Sequence, residues 1–428
     1  MVEFFIVLLI SIFLFGISYA FYTDVKKHTF YLFITAIQIF YLFNTPVRNF
    51  IINDFYAVNV NVKDFYGFGF SMLALHVILF NIFYFLSKRK NSFKTKNANN
   101  IKKINKKNIF IIFFILFTLV FFNSLADGVN LIDIIQGKHD SPTLGLQGAS
   151  YYIQNFADSM ITLIVAAYIF KIPFRHKMIM TILGFVLFLI LGFRYRILLT
   201  VFAIALYFIH KKGIRLRSFF TYLSIFTVFF YSLMCLTHNR RYIFMQQFDK
   251  VSYNPYDFDY DVVFDQAKGS LIDFAMYKGL SEGTIQSDYG QTMFLYVFVK
   301  MTPASLFPGG VKPYPPPMLT AIDKSLNASR DIGEAVTMLG ASYYAFSYFG
   351  LIILSVFFGF YIKRIEPDYI TDLKFLKNVM ILMAIFQLYT RGYFPQFIDH
   401  LVYMLFPLLF ITWKFKKISN LKAKTIKN

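Results

Sequence analysis

Gly192-Phe193-Arg194-Tyr195-Arg196 stands between two apolar runs, 178–191 and 197–209. Basic residues flank the pair on both far sides: Lys171, Arg175 and Lys177 before it, and Lys211, Lys212, Arg215 and Arg217 after it. Basic flanks face the cytoplasm in membrane proteins, so the two runs read as a transmembrane hairpin. Arg194 and Arg196 then lie at its tip, on the opposite face. A single arginine there is an ordinary interface anchor whose stem snorkels. Two guanidinium groups on the cation-poor side suit an anion, and a phosphate fits their forked donors. Both runs fall short of the ~20 residues of a full crossing. The tip is therefore expected as the floor of an outward-facing depression.

The rest of the chain extends this pattern. Of its 428 residues 57% are apolar and 21% aromatic, and apolar runs of membrane-crossing length recur. The expected class is an all-α polytopic membrane protein with about 11 transmembrane helices. The spans are read at 4–22, 30–51, 65–86, 109–125, 151–170, 178–191, 197–209, 219–236, 339–361, 376–389 and 401–413. No basic segment precedes the first run, so it reads as a span and not as a cleaved signal. The net charge of +20 follows the positive-inside bias, so nucleic acid is not needed to explain it. The linker 87–108 carries nine Lys and Arg and no acid, and reads as a cytoplasmic segment on anionic lipid. Six lysines follow Trp413 in a tail on the same side. This gives three parts: helices one to eight in 1–236, a large periplasmic loop over 237–338, and helices nine to eleven with the basic tail in 339–428.

The loop is too long for a plain connection. Within it, 289–301 reads as an interfacial or re-entrant helix. The six prolines of 302–317 read as a stiff extended segment. Asn155 and Asp158 fall at the outer end of the fifth span and read as solvated. Cys235 is the one cysteine, so no internal disulfide forms. No metal-spaced His/Cys set, phosphate-binding glycine loop or nucleophile elbow appears. No metal and no cofactor is expected. What remains is an arginine set on one face: Arg194, Arg196, Arg240, Arg241 and Arg391, with Arg330 in the loop. Such a set can bind a pyrophosphate and stabilise it as a leaving group. Glu282, Glu334 and His238 are the candidates for a general base.

Three stretches resemble the Wzy-type oligosaccharide repeat-unit polymerases of O-antigen and capsule pathways. They are Leu191-Gly192-Phe193-Arg194-Tyr195-Arg196, the polar-aromatic segment from Gly340 to Gly350, and Arg391-Gly392 between the last two spans. The family often has an acid in the second stretch, where this chain has Ser342 and Tyr343. The resemblance implies a GT-C-like helical fold in the bacterial inner membrane with a periplasmic active face. It implies a substrate held on undecaprenyl pyrophosphate, membrane lipids as surroundings and a chain-length regulator as partner. The arginines would hold the pyrophosphate and a base would activate the acceptor hydroxyl. Two alternatives stay open: an O-antigen ligase acting on lipid A core, and a lipid-linked oligosaccharide flippase. Transport is disfavoured because transporters place their charges near the bilayer midplane and often carry internal repeats, and none is visible here.

Overall fold

A computed structural model describes residues 1–87, 106–126, 149–191, 194–213, 247–258, 268–313, 315–328, 335–367 and 371–425, with isolated positions between 224 and 242. Fourteen helical segments are numbered here in chain order: α1 (Val2–Thr23), α2 (Thr29–Ile51), α3 (Tyr66–Leu86), α4 (Lys106–Ala126), α5 (Ala149–Asn155), α6 (Ala157–Ile169), α7 (Phe174–Ile190), α8 (Arg194–Lys212), α9 (Gly269–Ser281), α10 (Tyr296–Met301), α11 (Pro317–Ser325), α12 (Met338–Ile365), α13 (Asp372–Arg391) and α14 (Phe394–Thr425). Two-residue strands, Tyr56–Ala57 and Val60–Asn61, form one small hairpin. Among the described residues, seven helices are long and apolar enough to cross a membrane: α1, α2, α3, α4, α12, α13 and α14. The expected spans at 151–170, 178–191 and 197–209 are helical, but do not reach that combination of length and hydropathy. Most of the expected span at 219–236 lies outside the described residues.

The chain divides into two compact units that do not follow chain order. Unit 1 holds Met1–Ser92, Asp261–Tyr369 and Leu382–Asp399; unit 2 holds Phe93–Tyr260, Ile370–Ile381 and His400–Asn428. Side-chain pairs give the direction of each helix. In unit 1, α2 and α3 run antiparallel: Phe43 meets Phe70, Gln38 meets His76, and Tyr31 meets Asn81. α12 runs parallel to α3, with Phe68 by Tyr348, His76 by Ser355 and Phe83 by Phe360. In unit 2, Asp158 pairs with Arg196 and Tyr207 reaches Ile169, so α6 and α8 are parallel. α14 runs the same way, since Asp158, Ser159 and Thr162 meet His400, Tyr403 and Met404. α7 is antiparallel to α6 through Tyr168 with Thr181 and Ile164 with Gly184.

Two buried polar groups of unit 1 show how such groups are met by partners on neighbouring segments. His76 is fully buried, with Nδ1 2.8 Å from Ser355 Oγ and Nε2 3.2 Å from Gln38 Nε2. The Ser355 hydroxyl already donates to the Leu351 carbonyl. Nδ1–H therefore donates to Ser355, and Nε2 accepts from the Gln38 amide. Gln38 opens a π-helical stretch, Gln38–Asn44, inside α2. Pro46 follows it and has no N–H to return to the Leu42 carbonyl, which is a local reason for the wider turn. At the start of α2, Glu366 accepts from the backbone N–H groups of Phe30 and Tyr31, at 3.1 and 2.7 Å. A buried carboxylate there satisfies helix-end donors and suits the positive end of the helix.

The loop residues differ from the sequence expectation over 302–317. The stretch 302–317 is not uniformly extended, since it contains single 3₁₀ turns at Ala304–Leu306 and Pro308–Gly310. Its last proline opens α11, where the missing N–H is harmless. The apolar stretch 289–301 is a π turn, Gln291–Leu295, running into the six-residue α10.

Proline also explains how α6 and α14 are keyed together. Pro407 lies inside α14 and offers no N–H to the carbonyl of Tyr403. Ser159 Oγ of α6 donates to that carbonyl at 2.5 Å, and Thr162 Oγ1 donates to the next one, of Met404, at 2.6 Å. Ser159→Ala should therefore destabilise the protein by about 1–3 kcal/mol, the penalty of a buried unsatisfied acceptor. In a Pro407→Ala background, where the backbone donor returns, the same change should have less effect. Unfolding midpoints of the purified protein in detergent, taken as a double-mutant cycle, check this; equal effects in both backgrounds would refute the donor exchange.

Candidate functional site

The first turn of α8 carries the pair read from the sequence. Arg196 is 1% exposed, and its Nε donates to Asp158 Oδ1 at 2.6 Å. The other carboxylate oxygen, Oδ2, meets His400 Nδ1 of α14. Asp158 is also 1% exposed, so the expectation of a solvated carboxylate is corrected. The reason is charge: an arginine taken out of water requires an anion, and Asp158 is the acid in the first turn of the parallel helix. The Tyr195 ring lies 5.7 Å from the His400 ring, and the Arg196 guanidinium 5.3 Å from Tyr195. Arg196 is thus enclosed in protein rather than on the floor of an open depression. A carboxylate on Nδ1 fixes one tautomer of His400 and directs Nε2 outward from the pair, the arrangement that orients a general base.

In unit 1 the third quoted stretch packs against Thr337, three residues before the second stretch begins. Gly392 ends α13 in the left-handed region, with φ +56, and its N–H bonds the Leu388 carbonyl at 2.9 Å. That is the glycine-terminated helix end, where a Cβ is disfavoured. A Cβ would also overlap the carbonyl of Thr337. Glycine is required twice over, and it sets Arg391 at the exposed last position of α13. Thr337 caps α12 and is itself held by Asp273 of α9. The Thr337 N–H donates to Asp273 Oδ1 at 2.8 Å and its hydroxyl to Oδ2 at 2.5 Å. Asp273 is 2% exposed. Burial pushes its carboxyl up to about 7, against the opposing pull of the Thr337 hydroxyl and of the Thr337 and Gly340 N–H groups.

The other nominated residues are more scattered. Glu282 follows α9 as a half-exposed carboxylate, 3.9 Å from Lys278. His238 lies tilted against Phe258 and edge-on to Tyr242 in unit 2, at 5.4 and 6.1 Å. Arg240, Arg241, Arg330, Glu334 and the side chain of Arg194 lie outside the described residues. Sequence reading missed His400, and the pairing that joins it to Asp158 and Arg196. A signal was available, because an ionisable residue inside an apolar helix calls for a partner. Sequence alone did not say which helix supplied it. Among the described residues, no group of three His, Cys, Asp or Glu side chains stands together as a metal site.

The segment that holds Thr337, Arg391 and His400 is also the one that known proteins illuminate. Residues 325–423 match the family model for the O-antigen polysaccharide polymerase Wzy. The match agrees with the resemblance read from Gly340–Gly350 and Arg391-Gly392. No curated protein and no solved structure matches the chain. The Wzy match runs over α12 and α13 and most of α14, so it contains the Gly392–Thr337 joint and His400. It does not extend to α8.

Two outcomes follow from this geometry. Asp158→Ala leaves Arg196 buried without its carboxylate and should cost about 3–5 kcal/mol, whereas Asp158→Ala with Arg196→Met should recover most of that. Unfolding midpoints in detergent and the amount of folded protein in membranes measure both. Asp273 makes a pH-dependent contribution of the opposite sign to a salt-bridged acid. Its carboxyl is raised in the folded protein, so the stability it contributes is full below about pH 4 and is lost as pH rises towards 7. Asp273→Asn should flatten the fall of the melting temperature between pH 4.5 and 7.5; a parallel fall in both proteins would refute it.

Proposed function

We propose that this chain polymerises oligosaccharide repeat units carried on undecaprenyl pyrophosphate, building O-antigen or capsular polysaccharide at the periplasmic face of the inner membrane. The observation that carries the reading is the Wzy match over 325–423, which falls on the segment where the structure fixes Arg391 by a doubly constrained glycine. The seven membrane-length helices among the described residues support a lipid-borne substrate. The alternation of helix directions within each unit supports a topology in which α6, α8 and α14 all begin at the outer side. A GT-C-like architecture is part of the same reading.

In this reaction a hydroxyl of the acceptor repeat unit attacks the anomeric carbon of the donor glycan. The new C–O bond forms as the bond to the pyrophosphate breaks, and undecaprenyl pyrophosphate leaves with the electron pair. The hydroxyl proton passes to a base. Glu282, Glu334 and His238 are the sequence candidates for that base, and His400 held by Asp158 is the one the geometry adds. Arg194, Arg240, Arg241 and Arg391 are the proposed contacts to the leaving pyrophosphate, whose growing charge they stabilise. Arg196, already paired, fixes the helix turn that Arg194 opens. No metal or cofactor takes part in this scheme. A chain-length regulator is the proposed protein partner.

Deletion of the gene should remove the long-chain glycan ladder and leave a core-plus-one-unit band on a silver-stained gel. Arg391→Ala should give the same pattern at normal protein level, and Arg391→Lys should restore little, because an ammonium does not reproduce the bidentate fork. Loss of the one-unit band as well would assign the chain as a ligase instead. An unchanged ladder would remove the polymerase reading.

A further inference from the structure

The stretch Gly340–Gly350 reads as one helix in sequence, yet α12 is broken inside it. Phe346 has φ −142 and ψ 20, and Ser347 has φ 54 and ψ −143. A residue with a Cβ in that left-handed region is strained by roughly 1–3 kcal/mol, and persists only where its surroundings hold it. Here they do. Ser287 Oγ donates to the carbonyls of Tyr344 and Ala345, at 2.6 and 3.0 Å, which the break leaves without their helical donors. The Phe346 ring covers Gly290, itself at φ +81, where a Cβ would strike the ring. Phe294 flanks it at 6.1 Å. The loop segment 287–294 therefore clamps the break from outside.

The effect of the break is seen in the tyrosines. In a continuous helix, residues five apart point about 140° away from each other. Tyr343 and Tyr348 instead meet, with ring centroids 5.4 Å apart. Tyr277 of α9 lies 4.8 Å from Tyr343, and Phe68 at the start of α3 lies 5.6, 5.9 and 6.1 Å from Tyr277, Tyr343 and Tyr348. Tyr277 is buried as the base of the cluster, Tyr343 is half-buried, and Tyr348 is 44% exposed at its rim. Four aromatic rings from three chain segments thus pack edge to face in one cluster with Tyr348 at its exposed rim, and the cluster exists because Ser347 is held in a strained conformation. An interface belt of tyrosines needs no such device, since single tyrosines on straight helices suffice for it. A graded face of rings edged by phenolic hydroxyls matches a sugar. The C–H face of a pyranose lies on the rings, and its hydroxyls meet phenol oxygens.

We infer that Phe68, Tyr277, Tyr343 and Tyr348 form a carbohydrate-stacking subsite that receives a pyranose ring of the oligosaccharide repeat unit, an inference that rests on the polymerase reading for the identity of the glycan. Tyr348 supplies the exposed stacking face, Tyr343 the second face and hydroxyl, and the Ser347 break positions both.

The test measures glycan binding apart from polymerisation. The probe is the host's own repeat oligosaccharide, cleaved from its lipid by mild acid, with binding to the purified full-length protein followed by saturation-transfer NMR. Tyr348→Ala and Tyr343→Ala should each weaken binding about tenfold, and Tyr348→Phe or Tyr348→Trp, which keep a ring, by less than threefold. Ser347→Pro, which excludes a positive φ, should resemble Tyr348→Ala, and Ser347→Gly should bind as wild type. The Phe, Trp and Gly variants guard against loss of fold as the cause. No binding by the wild-type protein, or equal binding by Tyr348→Ala, overturns the subsite. Failure of the polymerase reading is read separately, as an intact glycan ladder in the deletion strain.

Discussion

Inside a bilayer there is no water to receive a backbone carbonyl that its helix has abandoned, so every break must be repaired by protein. This chain breaks two of its membrane-length helices and repairs both with serine hydroxyls. Pro407 strands the Tyr403 carbonyl in α14, and Ser159 of α6 supplies the donor. The turn at Phe346–Ser347 strands the carbonyls of Tyr344 and Ala345 in α12, and Ser287 of the loop supplies it. Each repair is also a register mark. A serine displaced by one residue along its own helix would leave the carbonyl bare. The first mark holds α6 beside α14 so that Asp158 meets His400, and the second holds the loop against the aromatic cluster.

The same logic runs through the joint at Gly392. Asp273 binds Thr337, the Thr337 carbonyl leaves no room for a side chain at 392, and the glycine so required closes α13 behind Arg391. A loop helix, a helix start and a helix end are tied in sequence, with an exposed arginine as the result. That joint falls inside the Wzy match. It gives the short Arg391-Gly392 motif a physical account: the glycine is a constraint of packing and the arginine is what the packing presents.

Much of the helical plan was legible because hydropathy and flanking charge act locally. The runs 4–22, 30–51, 65–86 and 109–125 became α1 to α4 nearly residue for residue. What sequence left unread was partnership. Asp158 looked solvated because it falls at the outer end of the expected span, while its partners stand 38 and 242 residues away. Arg196 looked like a surface ligand for the same reason. The break in α12 was also hidden, because Gly340–Gly350 carries no proline to mark it. It is imposed by Ser287, Gly290 and Phe294 from the loop, contacts between distant positions that no window along the chain contains. By contrast the Arg391-Gly392 turn was visible, since glycine after a basic helix end is a local signal.

The placement of charge on α8 has a consequence for its electrostatics. Its first turn holds Arg194 and Arg196, and its last holds His210, Lys211 and Lys212. The last turn suits the helix dipole, and the first opposes it, since the N-terminal end already carries roughly half a positive charge. α6 runs parallel to α8, so their positive ends gather at the same end of the unit, where Asp158 pairs with Arg196. A cation in that first turn opposes the helix dipole by about 0.3–1 kcal/mol, and at Arg196 the Asp158 carboxylate offsets it. An anion bound at that end, as the proposed function requires of Arg194, would meet the partial charge of the backbone as well as the guanidinium group. Part of its affinity is then drawn from the backbone itself, and that part would persist through any single arginine substitution.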